Sequence, residues 1–420
     1  MAKRAAKKAV RRAGAIGAGR LASQMVEDRR ALYPRFSEAE YDRRYGAIRA
    51  EMSRRGLDAL VIFGDSGHSR YNQANVHYVS NYVDQLYSYV VFPFHGEPTL
   101  FACLYCHVPN ARLISGVKDV RWGGWNMSEA VADRLGELNL GRGRVGLVGV
   151  NTYHKITIPW DHYETLRSRF PEARLEPATE ILEDLRMIKS AEEVAALERG
   201  AAFTDMGVRA FVAAVRPGVK EHQLAAKLMN AYLKEGGLYH FQLVGSHNPR
   251  DPFMPYPWPF HSNRTLRKGD IAMTEISASY NYYAGQVIRT VSIGKAPQAY
   301  RDLFQVSQEV YHGVLEALQP GNTTQDVLRV TKKIADAGYT IHAPVVHGWG
   351  QNLMKPFIGL PGMSEWRSDP VTFQPGMVIM IEPNPVTKDE RHGVFLGNLT
   401  VIEEKGARSL QKFPIKLFEV

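Results

Sequence analysis

The sequence predicts a two-domain fold, with an α/β domain of residues 37–177 followed by an α+β domain of residues 178–420 that contains an internal repeat. Helical and strand patterns alternate in the first region, which is typical of layered α/β domains. The second region carries two copies of one helix-and-hairpin unit, visible as self-similarity within the sequence. With 420 residues, of which 45% are hydrophobic, the chain can bury two full cores.

Residues 1–36 are predicted to be a basic N-terminal extension. Seven lysine and arginine residues precede the first acidic residue, Glu27, and without them the net charge of +9 falls to +2. A solvated arm is therefore a better interpretation than a nucleic-acid or membrane site. The sequence contains no stretch of about 18 apolar residues, so no membrane span is predicted. No export signal is recognised either, so a cytoplasmic location is expected.

The α/β domain is predicted from short apolar segments that alternate with amphipathic ones. A first helix is expected over "SEAEYDRRYGAIRAEMSRRG", and strands over "DALVIFG", "YSYVVFPF", "EPTLFACLY" and "RVGLVGV". Near residue 178 the pattern becomes helical, and a new helix is predicted to start at Ser190, with Glu193 three residues on. The domain boundary is therefore placed at residue 178.

The internal repeat pairs residues 215–240 with residues 318–342, since each copy has a Pro-Gly turn, an amphipathic helix, a glycine stop and a histidine. Further on, "LRKGDIAMTE" parallels "FQPGMVIMIE". If the copies pack about a pseudo-twofold axis, Glu275 and Glu382 occupy equivalent strands and converge on one pocket. Two carboxylates in a partly dry pocket separate into an acid and a base, which makes this pair a candidate for catalysis.

Three histidines are candidates for the same cleft. His347 in "VVHGWGQN" lies between an apolar strand and a glycine-rich bend, where a ligand can approach closely. His261 precedes the Glu275 strand, and His247 lies in a loop before it. The segment between these two, "PFMPYPWPF", is rich in proline and aromatic residues and includes Trp258. It is expected either to wall an apolar substrate or to form a dimer interface.

These motifs resemble the pita-bread superfamily, which includes creatinase, prolidase, aminopeptidase P and methionine aminopeptidase. The resemblance rests on "KGDIAMTEISASYNYYAGQVIRT", "VVHGWG" and "FQPGMVIMIEPNP", in this order, and on the boundary motif "LRMIKSAEEVAAL". It implies a creatinase-type N-terminal domain, a pita-bread catalytic domain, a small-molecule substrate and a homodimer.

The resemblance also implies where the metal ligands of the peptidase members would lie. Those members bind two ions with two aspartates, a histidine and two glutamates. The corresponding positions here are Glu275, Gln286, His347, Glu382 and Gly397. An amide and a glycine cannot supply the anionic bridges that offset the repulsion between two divalent ions. No metal or other cofactor is therefore expected, or at most one weakly held ion at Glu275, His347 and Glu382.

The main hypothesis is a metal-independent, creatinase-like hydrolase that cleaves the C–N bond of an amide, an amidine or a cyclic amide by acid–base catalysis. His261 or His347 would carry the proton and Glu382 would activate water or orient that histidine. Glu275 would hold an N–H or cationic group. The remaining residues expected to contact substrate are His247, Trp258, Tyr283, Gln286, Arg289 and Met354.

Three alternatives stay open. The first is a metal-dependent Xaa-Pro dipeptidase or aminopeptidase. The second is a lyase of the dimethylsulfoniopropionate-cleaving type, since one carboxylate able to remove a proton is enough for that chemistry. The third is a peptide-binding domain without catalytic activity.

Overall fold

A computed structural model of the protein describes residues 33–66, 71–150, 158–363 and 370–420. The described residues form two compact units, one within residues 33–177 and one that contains residues 178–420. Most of the predicted basic extension, residues 1–32, lies outside the described residues. Within the described part, none of the helices has the length and apolar character needed to cross a membrane.

The first unit is built on a six-stranded mixed sheet. Its helices are α1 (Glu38–Arg55), α2 (Ala74–Ser80), α3 (Val108–Ile114), α4 (Met127–Glu137) and α5 (Trp160–Arg169). Its strands are β1 (Ala59–Asp65), β2 (Tyr87–Pro93), β3 (Thr99–Ala102), β4 (Asp119–Trp122), β5 (Arg144–Val148) and β6 (Arg174–Pro177). The strand order is β4-β3-β2-β1-β5-β6. Strands β1 and β2 are buried along nearly their whole length, as central strands of a layered α/β domain should be.

The second unit combines five helices with a nine-stranded sheet. Its helices are α6 (Thr179–Met187), α7 (Ala191–Ala214), α8 (Glu221–Leu233), α9 (Gln298–Ala317) and α10 (Thr324–Asp336). Its strands are β7 (Leu238–His247), β8 (Ile271–Tyr280), β9 (Tyr283–Ser292), β10 (Val346–Gly348), β11 (Met354–Ile358), β12 (Val378–Ile381), β13 (Gly397–Glu403), β14 (Gly406–Ser409) and β15 (Phe418–Glu419). The main order is β11-β10-β12-β13-β9-β8-β7, and β14 and β15 pair with β13 and β9.

Helix α7 starts where the sequence predicts. The Ser190 hydroxyl accepts the Glu193 N–H, and the Glu193 carboxylate accepts the Ser190 N–H, so two otherwise unpaired donors of the first turn are satisfied.

The predicted internal repeat is confirmed by matching backbone angles at its glycines. In each copy the glycine before the helix, the glycine after it and the glycine before the hairpin adopt a positive φ. The pairs are Gly218 and Gly321 (88° and 89°), Gly236 and Gly338 (85° and 86°), and Gly269 and Gly376 (both 87°). Both copies therefore turn the chain in the same way before their glutamate-bearing strands.

The strand register places Glu275, Gln286 and Gly397 on one face of the sheet. Glu275 on β8 pairs with Ile288 on β9, and Ile288 pairs with Gly397 on β13. Directly paired residues project to the same face. Gln286 lies two residues from Ile288 along β9 and shares this face. Glu382 follows the end of β12, where its N–H donates to the Val345 carbonyl at 2.8 Å.

Candidate active site

A cavity of about 230 Å³ in the second unit brings four of the predicted residues together. Glu275 comes from β8, Gln286 from β9, His347 from β10, and Glu382 from the end of β12. The other lining residues are Phe241, Ala343, Pro344, Trp349, Leu353, Asn384 and Phe395. The cavity thus combines a cluster of ionisable and amide groups with apolar walls, a composition typical of small-molecule sites.

Glu275 lines this cavity from β8. The residue is half-buried, with its carboxyl group among the groups that surround the cavity. Desolvation raises the pKa of Glu275 well above its usual range, and the charge of Glu382 raises it further. A hydrogen bond from Gln286 Nε2 to Glu275 Oε1, at 2.6 Å, partly offsets this by lowering the pKa of Glu275. Glu275 therefore keeps its proton at pH values where an exposed glutamate has lost it.

Glu382 faces an imidazole instead of an amide. His347 Nε2 lies 3.4 Å from Glu382 Oε1, and both side chains are almost completely buried. His347 Nδ1 lies 3.1 Å from the Gly348 carbonyl. Because a carbonyl only accepts, Nδ1 carries a hydrogen and Nε2 is the atom free to exchange a proton with the carboxylate. The imidazole of His347 and the carboxyl group of Glu382 therefore face each other beside Glu275.

Three predicted residues from the segment before β8 do not line this cavity. His261 Nε2 lies 3.4 Å from Gln242 Nε2. His247 is fully buried against the Tyr300 hydroxyl, and burial lowers its pKa to about 4. Trp258 is 58% exposed. Of the two histidines considered for the proton carrier, only His347 lies at the acid pair.

Three further predicted residues do not line the cavity, and their contacts join elements of the fold. The Tyr283 hydroxyl donates to Glu193 at 2.7 Å, behind the hairpin. Met354 Sδ accepts from Lys189 Nζ at 3.2 Å. Arg289 is fully buried and donates to main-chain carbonyls at Ile288, Gly397, Phe413 and Pro414. Arg289 thus ties β9 to β13 and to the C-terminal segment.

Sequence reasoning missed Asn384 among the lining residues, and it included Tyr256 only within the segment "PFMPYPWPF" that was expected to wall a substrate. Asn384 lines the cavity two residues after Glu382, and the spacing in "EPNP" was a usable signal for it. Tyr256 belongs to the proline-rich segment, and its hydroxyl donates to the Asn384 carbonyl at 2.8 Å. Its ring stacks on His342 and packs edge-on against Phe395. Only the three-dimensional path of that segment reveals this contact.

The donor set of the described residues does not fit a pair of bridged metal ions. Gln286 directs an N–H, not an anionic oxygen, at Glu275. A Cβ atom at Gly397 would lie 2.6 Å from Met380 Cε and 2.8 Å from the Ile381 carbonyl oxygen, so a carboxylate side chain has no room there. Across the described ranges, no three histidine, cysteine, aspartate or glutamate side chains are arranged to hold a metal ion.

Both regions of the chain match known protein families. Residues 195–404, half of the chain, match metallopeptidase family M24. Residues 44–188 match the creatinase/prolidase N-terminal domain.

The relatives include both peptidases and a creatinase. The chain is 24% identical over 260 residues to an Xaa-Pro dipeptidase of Pyrococcus furiosus, across 61% of this chain and 72% of that protein. It is 24% identical over 410 residues to a creatinase of Bacillus sp. strain B-0618, across 91% and 92% of the two chains. The crystal structure of dipeptidase PepE from Mycobacterium ulcerans superposes with a TM-score of 0.74 at 27% identity, and the match covers 92% and 100% of the two chains.

These comparisons overturn the main functional hypothesis. The expectation of a metal-independent, creatinase-like hydrolase is wrong, because the catalytic region matches a metallopeptidase family and its relatives include named dipeptidases. The alternative of an Xaa-Pro dipeptidase is better supported, and the expected absence of a metal has no support from the relatives. The expected enzyme class, a hydrolase acting on carbon–nitrogen bonds, is confirmed. The resemblance to the pita-bread superfamily is also confirmed, and the chain belongs to metallopeptidase family M24.

Proposed function

We propose that this protein is a dipeptidase that hydrolyses the peptide bond of short substrates of the Xaa-Pro class. The observation that carries the proposal is the meeting of Glu275, His347 and Glu382 in one cavity of an M24 chain. The relatives named as Xaa-Pro dipeptidase and dipeptidase support the substrate class.

The roles of the two glutamates follow from their neighbours. Glu382, beside His347, accepts the proton of the attacking water. Glu275, which retains a proton in its enclosed position, donates it to the leaving nitrogen. General acid–base catalysis of this kind contributes about two to four orders of magnitude to the rate.

The shape of the cavity supports a substrate with a compact apolar group. Phe241, Trp349 and Phe395 contribute aromatic faces, while Pro344 and Leu353 add aliphatic surface. Apolar walls around a few polar groups bind a ring such as that of proline by excluding water from it, and the polar groups fix its orientation.

The family and the residues of the cavity disagree about a metal. The chain belongs to a metallopeptidase family, but its donor set does not fit two bridged metal ions. Because Gln286 and Gly397 do not offer bridging oxygens, the proton transfers are assigned to Glu275 and Glu382. A homodimer and a cytoplasmic location, both expected from the sequence, stay predictions. The first is tested by light scattering of the purified protein.

Hydrolysis of a dipeptide panel tests the proposed function. The panel contains Xaa-Pro dipeptides, matched Xaa-Ala dipeptides and N-acetylated controls. Each is assayed with purified protein alone, after chelation, and with added Mn²⁺ or Zn²⁺. Release of free amino acids from at least one dipeptide supports the proposal, and a preference for Xaa-Pro supports the narrower class. No release from any dipeptide under all three conditions contradicts it.

A further inference from the structure

Asn384 carries a buried hydrogen-bond donor that no described residue uses. It lines the cavity and is 2% exposed. Its Oδ1 accepts the Leu396 N–H at 3.0 Å, which fixes the orientation of the amide because an N–H donor must face an oxygen. The other atom, Nδ2, has no hydrogen-bond partner in the described part of the chain. A buried donor without a partner is costly, so its retention in a cavity indicates a ligand.

The segment that carries Asn384 is held at each successive residue. The Glu382 N–H donates to the Val345 carbonyl at 2.8 Å. The Pro383 carbonyl accepts the Ser307 hydroxyl, and the Asn384 carbonyl accepts the Tyr256 hydroxyl at 2.8 Å. Glu382 and Asn384 are therefore presented to the cavity from one rigid stretch of chain. Donors that need no reorganisation during a reaction are the ones that stabilise developing charge well.

Tyr256 is suited to act as a fixed donor to this segment. Its ring lies between His342 and Phe395, with ring centroids at 5.8 and 4.6 Å. Burial raises the pKa of Tyr256, and the charges of Glu382 and Glu275 raise it further. Its hydroxyl thus remains protonated and keeps donating to Asn384.

We propose that Asn384 Nδ2 donates to the carbonyl oxygen of the scissile amide, and that Tyr256 is the positioning residue that holds Asn384 in place. This assignment rests on the proposed function. Water adds to the carbonyl carbon, a C–O bond forms, and the π electron pair moves onto the oxygen that Asn384 contacts. Glu382 takes the proton of the water. As the C–N bond breaks, the electron pair returns to form the carbonyl, and the nitrogen leaves with the proton of Glu275.

Kinetics of Asn384 variants test the catalytic role. N384A removes the donor, and N384D keeps the acceptor for Leu396 while replacing Nδ2 with an oxygen. Loss of one such donor lowers kcat by about 10²–10³-fold, and KM changes little because the contact strengthens as the oxygen becomes negative. Y256F is expected to lower kcat by a smaller factor, about tenfold. The control is N398D, another buried asparagine of the same unit, whose Nδ2 donates to Ser409 away from the cavity.

Binding of a phosphinic dipeptide analogue separates this inference from the proposed function. Its tetrahedral P–O⁻ group mimics the negatively charged oxygen. The affinity of the analogue is measured by calorimetry, whether or not the protein hydrolyses a dipeptide. Weakening of analogue binding by N384A of tenfold or more, with N398D unchanged, supports the inference even if no dipeptide is cleaved. Unchanged analogue binding in N384A, or a variant that raises KM alone, overturns it. Thermal melting identifies a variant that has failed to fold, and Y256F then provides the same test.

Discussion

The strand pairs β8–β9 and β12–β13 are the two copies of one repeat, and each supplies one glutamate to the same cavity. The first copy surrounds Glu275 with an amide donor and enclosing protein, whereas the second places Glu382 against the imidazole of His347. On the strand paired with β8 the first copy has room for the Gln286 side chain, while on the corresponding strand the second has only Gly397 beside Glu382. Equivalent backbone positions thus acquire different surroundings because their neighbours differ, which is the condition under which the pKa values of two carboxyl groups separate.

The largest expected effect is on turnover when Glu382 loses its charge. E382Q keeps the shape of the side chain but cannot accept a proton from water, so kcat for a cleaved dipeptide should fall by about 10²–10⁴-fold. E403Q, at the exposed end of the same strand pair, should leave kcat within about twofold. A kcat for E382Q within tenfold of the wild-type value would remove Glu382 from the role of base.

The turns before the two hairpins should respond unequally to the same substitution. Gly269 and Gly376 both have φ of 87°, a conformation that costs an alanine about 1–2 kcal/mol. A Cβ at Gly269 meets nothing within 4 Å, but at Gly376 it would lie 2.9 Å from the Lys189 carbonyl oxygen. We expect G269A to lower the free energy of unfolding by about 1–2 kcal/mol and G376A by about 2–4 kcal/mol. Equal losses in urea titrations would show that the close approach to Lys189 is absent.

A substitution at Gly397 tests how much space the second copy of the repeat leaves around this residue. A Cβ there would lie 2.6 Å from Met380 Cε and 3.1 Å from Glu382 Cβ. G397A should therefore destabilise the protein by about 1–3 kcal/mol through overpacking. The control is G207A on helix α7, where the nearest atoms would be at an ordinary 3.5 Å and the change should stay within about 1 kcal/mol. If G397A unfolds at the wild-type urea concentration, this strand pair has more space than the structure gives it.

The smallest effect, counted per pH unit, concerns the pH dependence of stability at Glu275. Its pKa is raised in the folded protein above 4.5, so the stabilisation from its proton is complete below pH 4.5 and is lost as the pH rises through the raised value. E275Q does not titrate. The free energy of unfolding of E275Q should therefore rise relative to that of the wild type by about 1.4 kcal/mol for each pH unit above 4.5, up to the raised pKa. In an E382Q background the gain should shrink, since the neighbouring negative charge is gone. A difference independent of pH would contradict the raised pKa.

Four residues expected from the sequence line the cavity, whereas contacts that depend on the path of an insertion were not foreseen. Glu275 and Glu382 line the cavity from equivalent strands of the repeat, Gln286 lies on the strand paired with β8, and His347 lies on β10. Trp258 was placed in the site by proximity in sequence, but residues 252–260 fold back on β7. The Val244 N–H donates to the Trp258 carbonyl, and Trp258 remains exposed.

The functional error had a different origin. The two missing bridging carboxylates favour the creatinase branch only if a ligand position identifies a substrate. A missing ligand shows which metal arrangement is unsuitable, and it does not identify the substrate. The relatives that overturn that hypothesis include proteins named as dipeptidases.

The sequence by itself determined the two-domain order, the repeat and the pair of glutamates that the repeat makes equivalent, because turn glycines and hydrophobic periodicity are local signals. Only the tertiary structure decided how these groups differ. Solvent exclusion around Glu275, the imidazole beside Glu382 and the Tyr256 hydroxyl under Asn384 join residues far apart in the chain. The pKa of a carboxyl group and the orientation of an amide depend on such neighbours, which no local pattern specifies.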